Sequence, residues 1–134
     1  MLSKVDAPQP QEAPTQFAIT CQELDAATSL VSVEGELDLT TAPRLKWMLL
    51  DSLQEGRDRL VVDLSLTSFM DSTALGVLVV VNRRLESGAQ MVLVCARPNV
   101  LKIFELSGMD GAFTIIPTLE EALAQVQGKA VEAG

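Results

Sequence analysis

The chain has 134 residues, one domain's length, and 48% of them are apolar, enough to bury a core. Four Phe, one Trp and no Tyr leave that core to aliphatic side chains. A net charge of −8 argues against nucleic acid and anionic membrane as partners, since both need clustered Lys and Arg.

Residues 1–16, MLSKVDAPQPQEAPTQ, are rich in Pro and Gln and can bury little, so a disordered arm is expected there. With Lys4 and Asp6 ahead of the prolines and no apolar run, the arm does not read as a signal peptide. No stretch approaches the ~18–20 apolar residues of a membrane helix. The expectation is a cytoplasmic, soluble protein with a folded body over 17–127 and a flexible tail over 128–134.

FAITCQEL, 17–24, alternates apolar and polar as a half-buried strand does. After the turn DAAT, SLVSVEGEL, 29–37, predicts a second strand, and so short a connection makes the pair antiparallel. TTAPRLKWMLLDSLQEG, 40–56, predicts a helix with Thr40 or Thr41 as cap, Pro43 in the first turn and Gly56 at its end. Leu45, Met48, Leu49 and Leu53 share its apolar face and Trp47 falls off it. RLVVDLS, 59–65, and AQMVLVCA, 89–96, have continuous apolar centres, the mark of strands covered on both faces. Between them a helix runs from about Thr73 to Ser87. Arg97-Pro98-Asn99 opens a short helix stopped by Gly108, FTII at 113–116 is a last strand, and LEEALAQVQ is a terminal helix. The order β-β-α-β-α-β-α-β-α calls for an α/β fold: a mixed, mostly parallel sheet of about five strands with about four helices. Cys21 and Cys95, far apart on predicted strands, read as two buried free thiols in a reducing compartment.

The absence of histidine removes the usual base for a serine nucleophile and the commonest metal ligand. No phosphate-binding glycine loop is present either. The chain therefore reads as no enzyme, with no catalytic residue, no metal and no cofactor.

FMDSTALGVLVVVNRRL, 69–85, sets Asp71, Ser72 and Thr73 against a helix with more apolar side chains than one stripe needs. Asp71 or Ser72 can cap it. At about 100° per residue, Ala74, Val77, Leu78, Val81 and Leu85 form the face for the sheet. Leu75, Gly76, Val79, Val80 and Arg83 fall outside that arc. They either meet neighbouring helices or form a partner-binding patch. A hydroxyl at such a helix start suits a phosphorylation switch, because the N-terminal dipole accepts the added charge while a docked partner surface does not.

GELDLTTAPRL at 35–45, LVVDLSLTSFMDSTALGVL at 60–78 and LKIFELSGMD at 101–110 together resemble the anti-sigma factor antagonists, which are STAS domain proteins. The resemblance spans Phe17 to Val126. It implies an antagonist that binds an anti-sigma factor serine kinase and frees the sigma factor, is inactivated by phosphorylation and is restored by a PP2C-type phosphatase. It places the phosphoacceptor at Ser72, with Asp38, Asp71 and Thr73 as its surroundings. Ser65, Thr67 and Ser68, read as part of the same loop, are weaker acceptor candidates. Ala74 stands where the commoner motif has glycine, which favours helix and can narrow access to the acceptor. The alternative within the fold is a STAS subunit of another assembly, a lipid-transport complex or a stress-signalling scaffold, that binds partners without being phosphorylated.

Overall fold

The computed structural model describes residues 16–133, with side chains to Gln127, so all but the last residue of the expected arm lies outside the described residues. β1 (Ala18–Glu23) and β2 (Thr28–Leu37) pair antiparallel, with Ala18 opposite Glu34 and Glu23 opposite Ser29. α1 (Ala42–Gln54) then crosses to β3 (Arg59–Met70), α2 (Ser72–Arg83) to β4 (Gln90–Val94), and α3 (Pro98–Ser107) to β5 (Thr114–Ile116). α4 (Leu119–Ala133) closes the fold, its helical backbone passing Gln127 into the residues expected to form a tail. The sheet order is β1-β2-β3-β4-β5, parallel from β2 onward. The mixed five-strand sheet with four helices is the architecture expected from the sequence.

Because each crossover adds the next strand on the same side, the right-handed rule puts α1, α2 and α3 on one face of the sheet. Val31, Val33, Leu60, Val62, Met91 and Leu93 point into that face and meet Leu45, Leu49, Leu78, Val81, Val100 and Phe104 from the helices. Alternate residues of the same strands, Leu30, Val61, Val92 and Val94, point the other way and are covered by Ala122 and Val126 of α4. The continuous apolar runs of β3 and β4 thus supply two cores.

Cys95 is buried, but Cys21 is exposed, which corrects the expectation of two buried thiols. β1 is an edge strand with most of its residues exposed, so its cysteine lacks a full cover. Trp47 is 71% exposed on α1. Among the described residues no helix is long and apolar enough to cross a membrane.

Candidate functional site

β3 has 12 residues, running five beyond the 59–65 expected from the sequence and past the end of its neighbour β4. Its pairing with β4 ends at Asp63 opposite Val94, while pairing with β2 continues to Met70 opposite Leu37. Residues 64–70 therefore form an overhang held from one side by β2. Ser65, Thr67 and Ser68 lie on this strand and not in a loop, which corrects the expectation: β2 keeps pairing with the chain as far as Met70, so the ladder carries the strand on. Thr67 is fully buried and its hydroxyl donates to the Val33 carbonyl at 3.1 Å, where the β2–β3 register shifts. From the open side, two residues at the start of α3 donate to the overhang, Arg97 Nε to the Ser65 carbonyl at 3.2 Å and Asn99 Nδ2 to the Ser68 carbonyl at 2.9 Å. Ser65 also bonds through its hydroxyl to the Asp63 carboxylate.

Gly35, with φ of 97°, sits at the second register shift. A Cβ there would lie 3.0 Å from the Gln16 carbonyl oxygen and 3.1 Å from Phe17 Cα. Only glycine accepts both that backbone and that approach. It lets the chain enter β1 close against β2, where Phe17 receives the Arg44 guanidinium 5.0 Å above its ring.

The two acids of the predicted site leave adjacent strand ends. The Asp71 N–H donates to the Leu37 carbonyl at 3.1 Å, carrying the ladder past Met70, so Asp38 and Asp71 start neighbouring turns. Asp38 Oδ1 accepts from the N–H groups of Thr40 at 2.9 Å and Thr41 at 3.2 Å, and from the Thr40 hydroxyl at 2.8 Å. The Thr40 hydroxyl first, then the backbone donors, hold its carboxyl below the ordinary carboxylate range, so it stays charged. Thr41 occupies the N-cap position but makes no side-chain cap bond. Its hydroxyl instead accepts from the Asp38 N–H and donates to the Glu36 carbonyl, both at 2.8 Å, tying the turn to the end of β2.

Asp71 caps α2. Its extended backbone aims Oδ1 at the N–H groups of Thr73, 2.9 Å away, and Ala74, 3.1 Å away. Ser72 is the first helical residue, exposed, and its hydroxyl takes no part in the cap. Thr73 is half-buried toward α1. Ala74 is completely buried, so its methyl faces the core and leaves the approach to Ser72 open. α2 lies between α1 and α3, which explains its apolar excess: flanks as well as underside are covered. Leu75 is buried in the same core and offers a partner little surface. Val79 and Val80 are half-buried, while Gly76 and Arg83 are exposed. A Cβ on Gly76 would meet nothing within 4 Å, so no packing inside the described residues requires glycine there.

Sequence reasoning missed the apolar side chains around the overhang. Leu39 is 69% exposed, Leu66 60% and Phe69 46%. The signal was present in LSLTSFM, but without the overhang nothing distinguishes these residues from core. Leu39 and Phe69 lie beside Asp38 and Asp71 at the end of the sheet where α2 begins with Ser72, whereas Arg83 stands at the opposite end of α2. The end with Ser72 lies beyond the C-terminal ends of parallel strands, where α/β sheets bind their ligands.

A family model for the STAS domain matches residues 18–122. The chain belongs to the STAS domain family. It is 26% identical over 120 residues to the anti-sigma-F factor antagonist RsfB of Mycobacterium tuberculosis, covering 90% of this chain and 98% of the relative. Among solved structures, an anti-sigma factor antagonist from Mycobacterium paratuberculosis superposes with a TM-score of 0.78 at 30% identity, over 84% of this chain and 95% of the other. The anti-sigma factor antagonist SpoIIAA in its unphosphorylated form gives 0.73 at 26%, over 83% and 97%. The Bacillus SpoIIAA in the phosphorylated form gives 0.66 at 25%, over 81% and 99%.

Proposed function

We propose that this STAS domain is an anti-sigma factor antagonist, a binding protein and not an enzyme, that acts in the cytoplasm and is switched by phosphorylation of Ser72. Its partners are an anti-sigma factor serine kinase, which it engages when unphosphorylated, and a PP2C-type phosphatase, which resets it. The observation that carries this reading is the division of labour at the start of α2. Asp71 satisfies the helix N–H groups, and Ser72 is left exposed with its hydroxyl outside the cap. The existence of SpoIIAA in a phosphorylated form supports it.

Phosphorylation adds roughly −1.5 to −2 charges at this point. The dipole of the 12-residue α2 offsets part of that charge, so the fold persists. A partner lying over Leu39, Phe69, Gly76, Val79, Val80 and Arg83 meets instead a dianion added beside the carboxylates of Asp38 and Asp71. Binding falls without refolding. Thr73, with its N–H held by Asp71, fixes the turn that presents the acceptor.

The test is intact-mass spectrometry with site mapping after incubation with ATP and the anti-sigma factor kinase of the same organism, together with calorimetric binding of that kinase. The expected result is one phosphate, absent in Ser72→Ala. That variant binds as the unmodified protein does, and Ser72→Asp binds at least about tenfold more weakly. A demonstrated complex that takes no phosphate, or Ser72→Asp binding as wild type, would overturn the switch and leave a STAS interaction subunit.

A further inference from the structure

α1 and α2 run side by side on the sheet, and a groove of about 800 Å³ lies between them. Trp47, Leu50, Leu53 and Val77 form its apolar lining, and Lys46 and Arg84 supply its cations. We propose that this groove is a binding site for a small amphipathic anion, an apolar or aromatic body carrying one acidic group. This goes beyond the switch at Ser72, although Thr73 closes the groove at the end nearest that residue.

Size decides between a small molecule and a protein. A helix of 13 residues is about 20 Å long, and neighbouring helices pack ~8–10 Å apart, so the trough offers roughly 200 Å². A stable protein interface needs about 800 Å² on each side. The volume, in contrast, falls in the ~300–1,000 Å³ range of small-molecule sites, which are mainly apolar with a few placed polar groups.

Charge decides the sign of the ligand. Lys46 and Arg84 stand against Asp51, the single carboxylate on the lining, in a chain whose net charge is −8. Among the described residues neither cation is in a salt bridge, those found being made by Arg57. The groove is thus a locally positive, apolar place on an acidic protein. Trp47 presents a flat ring to solvent there, a surface suited to stacking on a planar apolar body.

Trp47 is the only tryptophan, so its fluorescence reports on this groove alone. The probe is anilinonaphthalene sulfonate, an aromatic body with one acidic group, titrated into the full chain. We expect saturable energy transfer from Trp47 with one-site stoichiometry. The Lys46→Glu/Arg84→Glu double variant, shown folded by circular dichroism, should bind about tenfold more weakly, as should the neutral phenylnaphthylamine counterpart on the wild type. Transfer that does not saturate, equal affinity in the double variant, or equal affinity for the neutral probe would overturn the proposal. So would sedimentation showing a dimer whose formation alone shields Trp47, because the occupant would then be a second copy of the chain.

Discussion

Asp71 and Ser72 are adjacent, both polar and both plausible helix caps from sequence, yet only Asp71 bonds the free N–H groups of α2. The extended backbone of Asp71 turns its carboxylate back over the helix, whereas the helical backbone of Ser72 turns its hydroxyl outward. The cap gives a prediction at this scale. Asp71→Ala removes both bonds and should lower stability by about 1 kcal/mol in urea unfolding, while Asp71→Asn, which keeps an accepting oxygen, should stay within a few tenths. Equal stability of the alanine variant and the wild type would refute the capping role. Asp38 shows how far residue identity alone reaches. The sequence marks it as a turn or site residue, but its position beside Asp71 follows from the β2–β3 register and the Asp71-to-Leu37 bond.

At the scale of elements, α2 is the part whose sequence looked unusual and whose packing explains most of it. Of the side chains outside the sheet-facing arc, Leu75 and much of Val79 are taken up by the core around the helix. What remains uncovered is Gly76, with empty space above it, and exposed Arg83, and the proposed partner contact rests on these. Ala74 faces inward, and its effect is on stability. Ala74→Gly combines the loss of helix preference, about 1 kcal/mol, with loss of a buried methyl, about 0.8 kcal/mol. Chemical denaturation should show a loss of roughly 1–2 kcal/mol, with the rate of phosphorylation by the kinase unchanged to within about twofold. A markedly faster rate in the glycine variant would mean that the methyl obstructs access after all.

For the molecule as a whole, stability rests on a sheet that buries both faces, with three helices on one side and α4 on the other. Phe104 joins the parts on the crowded side. It is fully buried in α3 and meets Phe113 edge-on, with ring centroids 5.6 Å apart and planes at 76°. Phe104→Ala should cost about 3–5 kcal/mol by calorimetry or denaturant unfolding, a large part of the ~5–15 kcal/mol typical of a domain. A loss below ~1 kcal/mol would show that the core collapses around the gap. Because α3 also donates from Arg97 and Asn99 to the β3 overhang, its packing and the presentation of the site are parts of one structure.

Element order and the inward faces of the strands and helices were legible in the sequence, which also proposed Ser72 as acceptor with Asp38 and Asp71 around it. These follow from local periodicity, capping chemistry and motif resemblance, all written in neighbouring residues. Only the tertiary structure decided which cap is used, that Cys21 lies exposed, that β3 outruns β4, and that Leu39, Leu66, Phe69 and Trp47 remain uncovered. The reason is physical: burial belongs to the space between elements. An apolar residue has the same local pattern whether another strand or helix reaches it or stops short.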